Sequence, residues 1–377
     1  MNTKIPWWLP QIGSQEYDLV KGVLDSNYIN EGDVTAQFER RLAELLGVKH
    51  VVTVTSGTAA IALALAGLGI GAGDEVIVPD ITFIATANAV TLTGAKPVLV
   101  DIDSRTLNID PEAAARALTS RTKALVPVHV SGRAADIHSL LDLARRHGVF
   151  VVEDAAEAFV SRHGDKFLGT FGQAGCLSFS PNKTITTGQG GAVLTDDEGL
   201  YTRLRELKDQ GRPTRGTGGD DLHHSVGYNF KFTNLQAAVG LAQLSYLDSR
   251  RARMKSIYSI YAALLKDVEG IRLPGFCLER GEFPQWTDAV VDRRDDLDRY
   301  LQARNVQCRR FWFPIHTQAP YRQADDLFPN SSAICPHTMW LPSAFTLSDQ
   351  DVTEVCGYIK EFLVKYEGHP AHCGETN

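Results

Sequence analysis

Three short segments carry residue types that could do chemistry together. Ser56-Gly57-Thr58 lies between an apolar run at 51–55 and a helix-like run at 58–68. Ser56 is placed as an N-cap, the N–H groups of a helix start attract anions, and Gly57 lets a ligand approach the backbone closely. An ordinary capped helix reads the same way. Glu153-Asp154-Ala155-Ala156-Glu157 closes the run VFVVED at 149–154. Carboxylates at the end of a buried strand are costly unless they meet a cation or a donor. Strand alternation sends Asp154 and Ala156 to one side and Glu153 to the other. Asp154 could then hold a protonated heterocyclic nitrogen; a solvated strand end or a metal ligand are the alternatives. No His or Cys cluster at metal-ligand spacing accompanies it.

The third segment is Ser178-Phe179-Ser180-Pro181-Asn182-Lys183-Thr184, followed by TTGQGG at 186–191. Most lysines are surface decoration. This one stands between two strand-like runs, among hydroxyls and glycines, where desolvation would lower its pKa and make it an amine nucleophile toward an aldehyde. Together the segments offer an anion cradle, a buried acid and an amine. A cofactor with a phosphate, a pyridine nitrogen and an aldehyde would use all three, and pyridoxal 5′-phosphate has them. Two rival motifs fail on context. Gly67-x-Gly69-x-x-Ala72 follows a helix and precedes a strand, the reverse of a dinucleotide fingerprint, and Lys183-Thr184 lacks the glycine of a phosphate-binding P-loop.

The elements that must hold these residues are legible as apolar runs at 51–55, 75–79, 97–101, 123–130, 149–154, 176–180 and 191–195. Several are apolar nearly throughout, as strands covered on both faces should be. Helical spacing appears at 58–68, 110–118 and 137–148. The alternation predicts an α/β fold with a mostly parallel sheet flanked by helices, and ligands at the carboxyl ends of its strands. Beyond residue 200, 203–209 reads as helix, 211–224 as a lid or interface loop, and 233–270 as one long helix or two with a break. A large domain over 1–245, a smaller α/β domain over 246–367 and a frayed tail at 368–377 are expected.

With 377 residues, 44% apolar and 22% charged, the chain can bury a core without disulfides or a structural metal. Its net charge of −7 gives no global field for nucleic acid or an anionic membrane. The six cysteines are scattered, the N-terminus has no apolar signal region, and the uncharged stretch 51–73 divides into β-like and helix-like halves. A cytoplasmic protein with no membrane span, no nucleic-acid partner and no metal is expected.

The segments, in this order, resemble the fold-type I pyridoxal-phosphate enzymes of the DegT/DnrJ/EryC1/StrS sugar aminotransferase family. The resemblance runs from IPWWLPQIG through TSGTAAIALALAGLGIGAGDEVIVPDITFIATANAV, VVEDAAEA, SFSPNKTITTGQGGAVLTDD and VGYNFKFTNLQAAVGLAQL to FPIHTQAPY. It implies that Lys183 binds the cofactor aldehyde and moves the proton, while Asp154 partners the ring nitrogen. It places Ser56, Gly57, Thr58 and Ser178 at the phosphate, Phe83 and Ala156 against the ring faces, and Glu157 near the ring hydroxyl. Asn229 would reach the phosphate of a neighbouring subunit, implying a homodimer with shared active sites, and His316 and Gln189 would lie near the sugar substrate.

The likeness within the family is to enzymes that aminate C4 of a GDP-linked 4-keto-6-deoxymannose with L-glutamate. A longer sugar, such as a GDP-octose, is a second expectation, because several positions depart from that branch. Gln189 stands for a usual glutamate, Ser131 and Arg133 for a tyrosine and a glutamine, and 211–224 and 283–292 also differ. Arg133, Arg212 and Arg215 could meet a diphosphate or be solvated arginines. The rival functions are dehydration or epimerisation on the same cofactor, against which Lys183 argues since dehydratase relatives carry histidine there, and a non-catalytic regulator.

Overall fold

The computed structural model describes residues 4–213 and 221–366. Helices α1 (Ser14–Asp25) and α2 (Asp33–Leu46) precede the main sheet, whose strands are β1 (His50–Val54), β2 (Glu75–Pro79), β3 (Lys96–Val100), β4 (Thr122–Leu125), β5 (Phe150–Asp154), β8 (Ala174–Ser178) and β9 (Gly191–Thr195). A short hairpin of β6 (Arg162–His163) and β7 (Lys166–Phe167) stands apart from it. The spatial order is β1-β9-β8-β5-β4-β2-β3, and β9 alone runs against its neighbours β1 and β8. The other pairings are parallel. Every residue of β2, β8 and β9 is buried, which explains why these runs are apolar nearly throughout, with Glu75, Ser178 and Thr195 at their ends.

Five further helices serve this sheet: α3 (Gly57–Gly67), α4 (Ala85–Leu92), α5 (Pro111–Arg116), α6 (Ile137–His147) and α7 (Glu198–Lys208). Nine of α3's eleven residues are buried, because it packs between the sheet and the helices α4 and α7. The uncharged stretch 51–73 is therefore β1 and α3 in the core, and among the described residues no helix is long and apolar enough to cross a membrane. Gly69, with φ +79°, turns the chain after α3 toward β2, so the glycine pattern there ends a helix as expected.

The expected strand at 123–130 stops at Leu125. Pro127 has no N–H to give, and the chain follows β5 only through separate bonds, Asp154 N–H to the Pro127 carbonyl and His129 N–H to that of Asp154. The helical segment 203–209 begins earlier, at Glu198, where the Asp197 side chain caps it by accepting from Leu200 N–H. The segment 233–270 forms two helices, α8 (Asn234–Ser245) and α9 (Leu247–Leu265), broken at Tyr246.

A second, antiparallel sheet is ordered β10-β11-β13-β12, from β10 (Ile271–Arg272), β11 (Thr287–Val291), β12 (Arg309–Arg310) and β13 (Thr338–Leu341). With α9, α10 (Arg294–Gln302) and α12 (Asp349–Tyr366) it encloses a separate core around Tyr261, Val291, Leu297 and Ile359; α11 (Pro329–Ile334) lies outside this core. Ile5 joins that core from the N-terminus. The tail 368–377 and residues 214–220 of the expected loop at 211–224, Arg215 included, lie outside the described residues.

Two of the sequence departures meet between the sheets. Arg133, expected either at a diphosphate or in solvent, is instead buried, with Nη1 on Asp288 Oδ2 at 2.5 Å and Nε donating to the Thr106 carbonyl at 2.9 Å. Ser131 Oγ donates to the other Asp288 oxygen at 2.8 Å. Asp288, on β11, supplies the charge that lets an arginine sit inside the protein. Removing one partner of such a pair strands the other charge at a cost of about 3 kcal/mol or more. Asp288→Ala is thus expected to lower the stability by that amount, read from the urea midpoint; an unshifted midpoint would contradict the pairing.

Candidate active site

The carboxyl ends of β1, β2, β5 and β8 open onto one cavity of ≈360 Å³. Its lining includes Ser56, Gly57, Thr58, Phe83, Asp154, Ala156, Glu157, Ser178, Lys183 and Gln189, so ten of the twelve residues expected at the site are assembled by the fold. The remaining two lie elsewhere.

At one end is the start of α3. Ser56 Oγ accepts from Ala59 N–H at 3.1 Å and the Ser56 carbonyl from Ala60 N–H at 3.0 Å. The amides of Gly57 and Thr58 remain at the front of the helix, where an anion is favoured. Both neighbouring strands crowd this turn. A Cβ on Gly57 would lie 3.0 Å from Ser178 Cβ, and one on Gly191 would lie 2.5 Å from the Ser56 carbonyl. Only glycine lets β9 pass that close.

Asp154 closes β5 on the opposite side. Thr86 Oγ1, from α4, donates to Oδ2 at 2.7 Å and Ala156 N–H to Oδ1 at 3.1 Å. Burial nonetheless raises its pKa above the ordinary aspartate value, against these hydrogen bonds and the fields of Lys183 and His129. Glu157 is likewise pushed up by burial, against the opposing charge of Lys183. Its Oε2 accepts from Ser131 N–H at 3.0 Å and its Oε1 from Lys183 Nζ at 3.3 Å.

Lys183 stands in the loop joining the antiparallel neighbours β8 and β9. The loop is held from outside: Gln285 Oε1 accepts from Thr184 Oγ1 at 2.5 Å, and Arg250 Nη1 donates to the Thr184 carbonyl at 3.0 Å. The lysine side chain is 11% exposed, and its Nζ lies 4.8 Å from the Trp286 ring centre. Phe83 is 55% exposed and presents its ring to the cavity.

His316 is not at the cavity. Its ring is fully buried, with Nδ1 on Asp80 Oδ2 at 2.6 Å, Nε2 on Asp325 Oδ1 at 3.3 Å, and its face on Phe328 at 4.5 Å. Nδ1 joins the end of β2 to the segment after β12, while Nε2 meets Asp325 within that segment, so the ring does not line the cavity where it was expected. Asn229 is exposed, away from this chain's own cavity, in a bridge opposite Asp209. Arg212 pairs with Asp221. Thr86, Trp286, Arg309, Trp312 and Trp340 also line the cavity, and sequence reasoning missed them. Thr86 alone left a signal, since it follows Phe83 in the DITFIATAN motif.

The residues present fit pyridoxal 5′-phosphate. A helix start offers amides for a phosphate, the buried Asp154 at the cavity has no direct cationic partner among the described residues, and Lys183 brings an amine to the same lining. Among the described residues no His, Cys, Asp and Glu group could hold a metal.

Residues 10–360 match the DegT/DnrJ/EryC1/StrS aminotransferase family. The chain belongs to this family. It is 36% identical to a GDP-perosamine synthase of Escherichia coli O157:H7, over 95% of this chain and 98% of that one. Among solved structures, DesV of S. venezuelae superposes with a TM-score of 0.88 at 33% identity, covering 93% of this chain and 94% of that one. The PLP form of a sugar aminotransferase, Spr1654 of Streptococcus pneumoniae, gives 0.90 at 26% identity, covering 96% and 99%. The protein is thus a pyridoxal-phosphate-dependent aminotransferase of the fold-type I class, in a family that acts on sugars.

Proposed function

We propose that this aminotransferase moves the amino group of L-glutamate to a keto group of a GDP-linked sugar, as a homodimer with shared active sites. The observation that carries the reading is the pairing of Lys183 with Glu157 beside the buried Asp154, in a cavity headed by the start of α3. The likeness to a GDP-perosamine synthase supports C4 of a 4-keto-6-deoxy sugar as the acceptor.

When bound, pyridoxal phosphate supplies an aldehyde that carries the amine and a ring that accepts an electron pair. The amides of Gly57 and Thr58, with Ser178 Oγ, would take its phosphate. Phe83 and Ala156 would pack on its two faces, and Asp154 would keep the ring nitrogen protonated. Lys183 Nζ is the base that removes the proton from the amine-bearing carbon of the donor and delivers one to the acceptor carbon. Glu157 holds that Nζ in place and would meet the ring hydroxyl, and the buried walls exclude water. Asn229 would serve the neighbouring subunit's phosphate site, and Gln189, exposed at the rim, would meet the sugar.

The test incubates the purified protein with L-glutamate and a panel of GDP-, UDP- and dTDP-linked keto sugars. 2-Oxoglutarate and an aminated GDP-sugar are expected. A sugar product without new nitrogen, or no 2-oxoglutarate with any acceptor, would overturn the reading.

A further inference from the structure

All five tryptophans of the chain gather at the cavity and its outer edge. Trp7 contacts Trp8, Trp286 and Trp340, and Trp340 contacts Trp286 and Trp312, with ring centres 4.9–6.5 Å apart. On this platform lies a cation that the transfer chemistry above leaves without a task. The Arg309 guanidinium sits 4.9 Å from the Trp7 ring centre and 5.4 Å from that of Trp340. Its neighbour Arg310 is engaged by Asp295 at 3.0 Å, and the buried arginines 133 and 250 have carboxylate, amide or carbonyl partners. Among the described residues no carboxylate lies within ion-pair distance of the Arg309 guanidinium and no acceptor hydrogen-bonds it; Glu157 acts on it only through its field.

Arg309 lines the inner cavity with Lys183 and also the adjoining outer groove of Phe83, Phe311 and Phe313. Lys183, the other cation of the inner lining, is taken by Glu157. A guanidinium lying over an aromatic face keeps its N–H edge free, and that fork matches a planar carboxylate with two parallel hydrogen bonds.

We propose that Arg309 receives a carboxylate of the amino donor, and of the keto acid that leaves. The inference rests on the transamination proposed above and adds the group that selects the donor. Position favours a carboxylate over a nucleotide diphosphate. Trp286 touches Lys183 Nζ on one side and Trp340 on the other, and Trp340 carries Arg309, so the cation belongs to the chamber where the reacting carbon must lie. An amino acid bears a carboxylate on that carbon. In a nucleotide sugar the diphosphate stands across the sugar ring from C4.

The test uses cofactor-loaded protein and L-glutamate without any sugar, reading 2-oxoglutarate formed and the glutamate concentration at half-maximal rate. Arg309→Met keeps the aliphatic stem over the indoles and removes the fork; it is expected to raise that concentration about 10- to 100-fold. Arg309→Lys, a point charge without the fork, should recover part of the loss. In the loaded protein, 2-oxoglutarate is expected to perturb the tryptophan emission, and Arg309→Met to weaken that response equally. GDP binding is expected unchanged in both variants.

Unchanged glutamate dependence in Arg309→Met, with normal unliganded emission and cofactor absorbance, would overturn the inference alone. A loss confined to GDP binding would overturn it too, assigning the arginine to the diphosphate. If the wild-type protein makes no 2-oxoglutarate from glutamate, the donor assignment fails and the inference falls with it.

Discussion

Lys183→Ala is expected to abolish transamination, with a loss on the order of 10⁴-fold in kcat, and to leave the cofactor bound without a covalent link to the protein. The magnitude follows from deleting the general base together with the amine that carries the cofactor aldehyde. The fold should survive. Glu157 loses the cation paired with it at 3.3 Å, but burial already pushes its pKa up, so it can stay neutral by holding a proton. Lys183→Arg separates the two roles of the side chain. It keeps a positive charge near Glu157 but cannot give up its proton, so it is expected to be as inactive as the alanine variant. Absorbance of the purified variants, 2-oxoglutarate release and the thermal midpoint check these outcomes together. An arginine variant with appreciable turnover would mean that the charge, not the proton transfer, is what residue 183 contributes.

The parts of this site that were legible in the sequence are those fixed by local order. β2 and β9 are bounded at the residues the apolar runs predict, because strands covered on both faces admit no polar interruption. Ser56 and Asp154 could be placed at strand ends for the same reason, whereas Ser178, inside the expected run at 176–180, closes a strand that runs from 174 to 178. What could not be read are contacts made over long separations. Arg133 looks like a surface residue until Asp288 appears beside it from the other sheet, 155 positions away. His316 could be carried over by resemblance, but its confinement by Asp80 depends on an approach of segments 236 positions apart. The aromatic half of the cavity is invisible for the same reason, since Trp7, Trp286 and Trp340 come from three separate parts of the chain.

Asp154→Asn separates the electrostatic part of the site from its shape. In the cofactor-free protein the aspartate has a raised pKa caused chiefly by burial. A carboxyl whose folded pKa lies above its unfolded value binds more protons folded than unfolded. Its contribution to stability is therefore greatest at acid pH and declines as pH climbs from the ordinary aspartate value of about 4 through the raised one. Glu157 adds a decline of the same sign. Asparagine cannot ionise, so Asp154→Asn should flatten part of that slope and leave the cofactor-free protein relatively more stable at neutral pH. With cofactor the sign reverses. A protonated ring nitrogen against the carboxylate relieves the desolvated charge, so loading should stabilise the wild type more at neutral than at acid pH. In the variant that advantage is lost. An opposing charge at contact distance shifts a neighbour's pKa by about 1–3 units, so the population of protonated ring, and with it kcat at neutral pH, should fall about 10- to 1000-fold. Urea midpoints with and without pyridoxal phosphate from pH 4 to 8, beside a pH–rate profile, read both effects. If the variant keeps wild-type turnover and the wild-type pH dependence of cofactor stabilisation, Asp154 does not face the ring nitrogen, and the orientation of the cofactor proposed for this cavity is wrong.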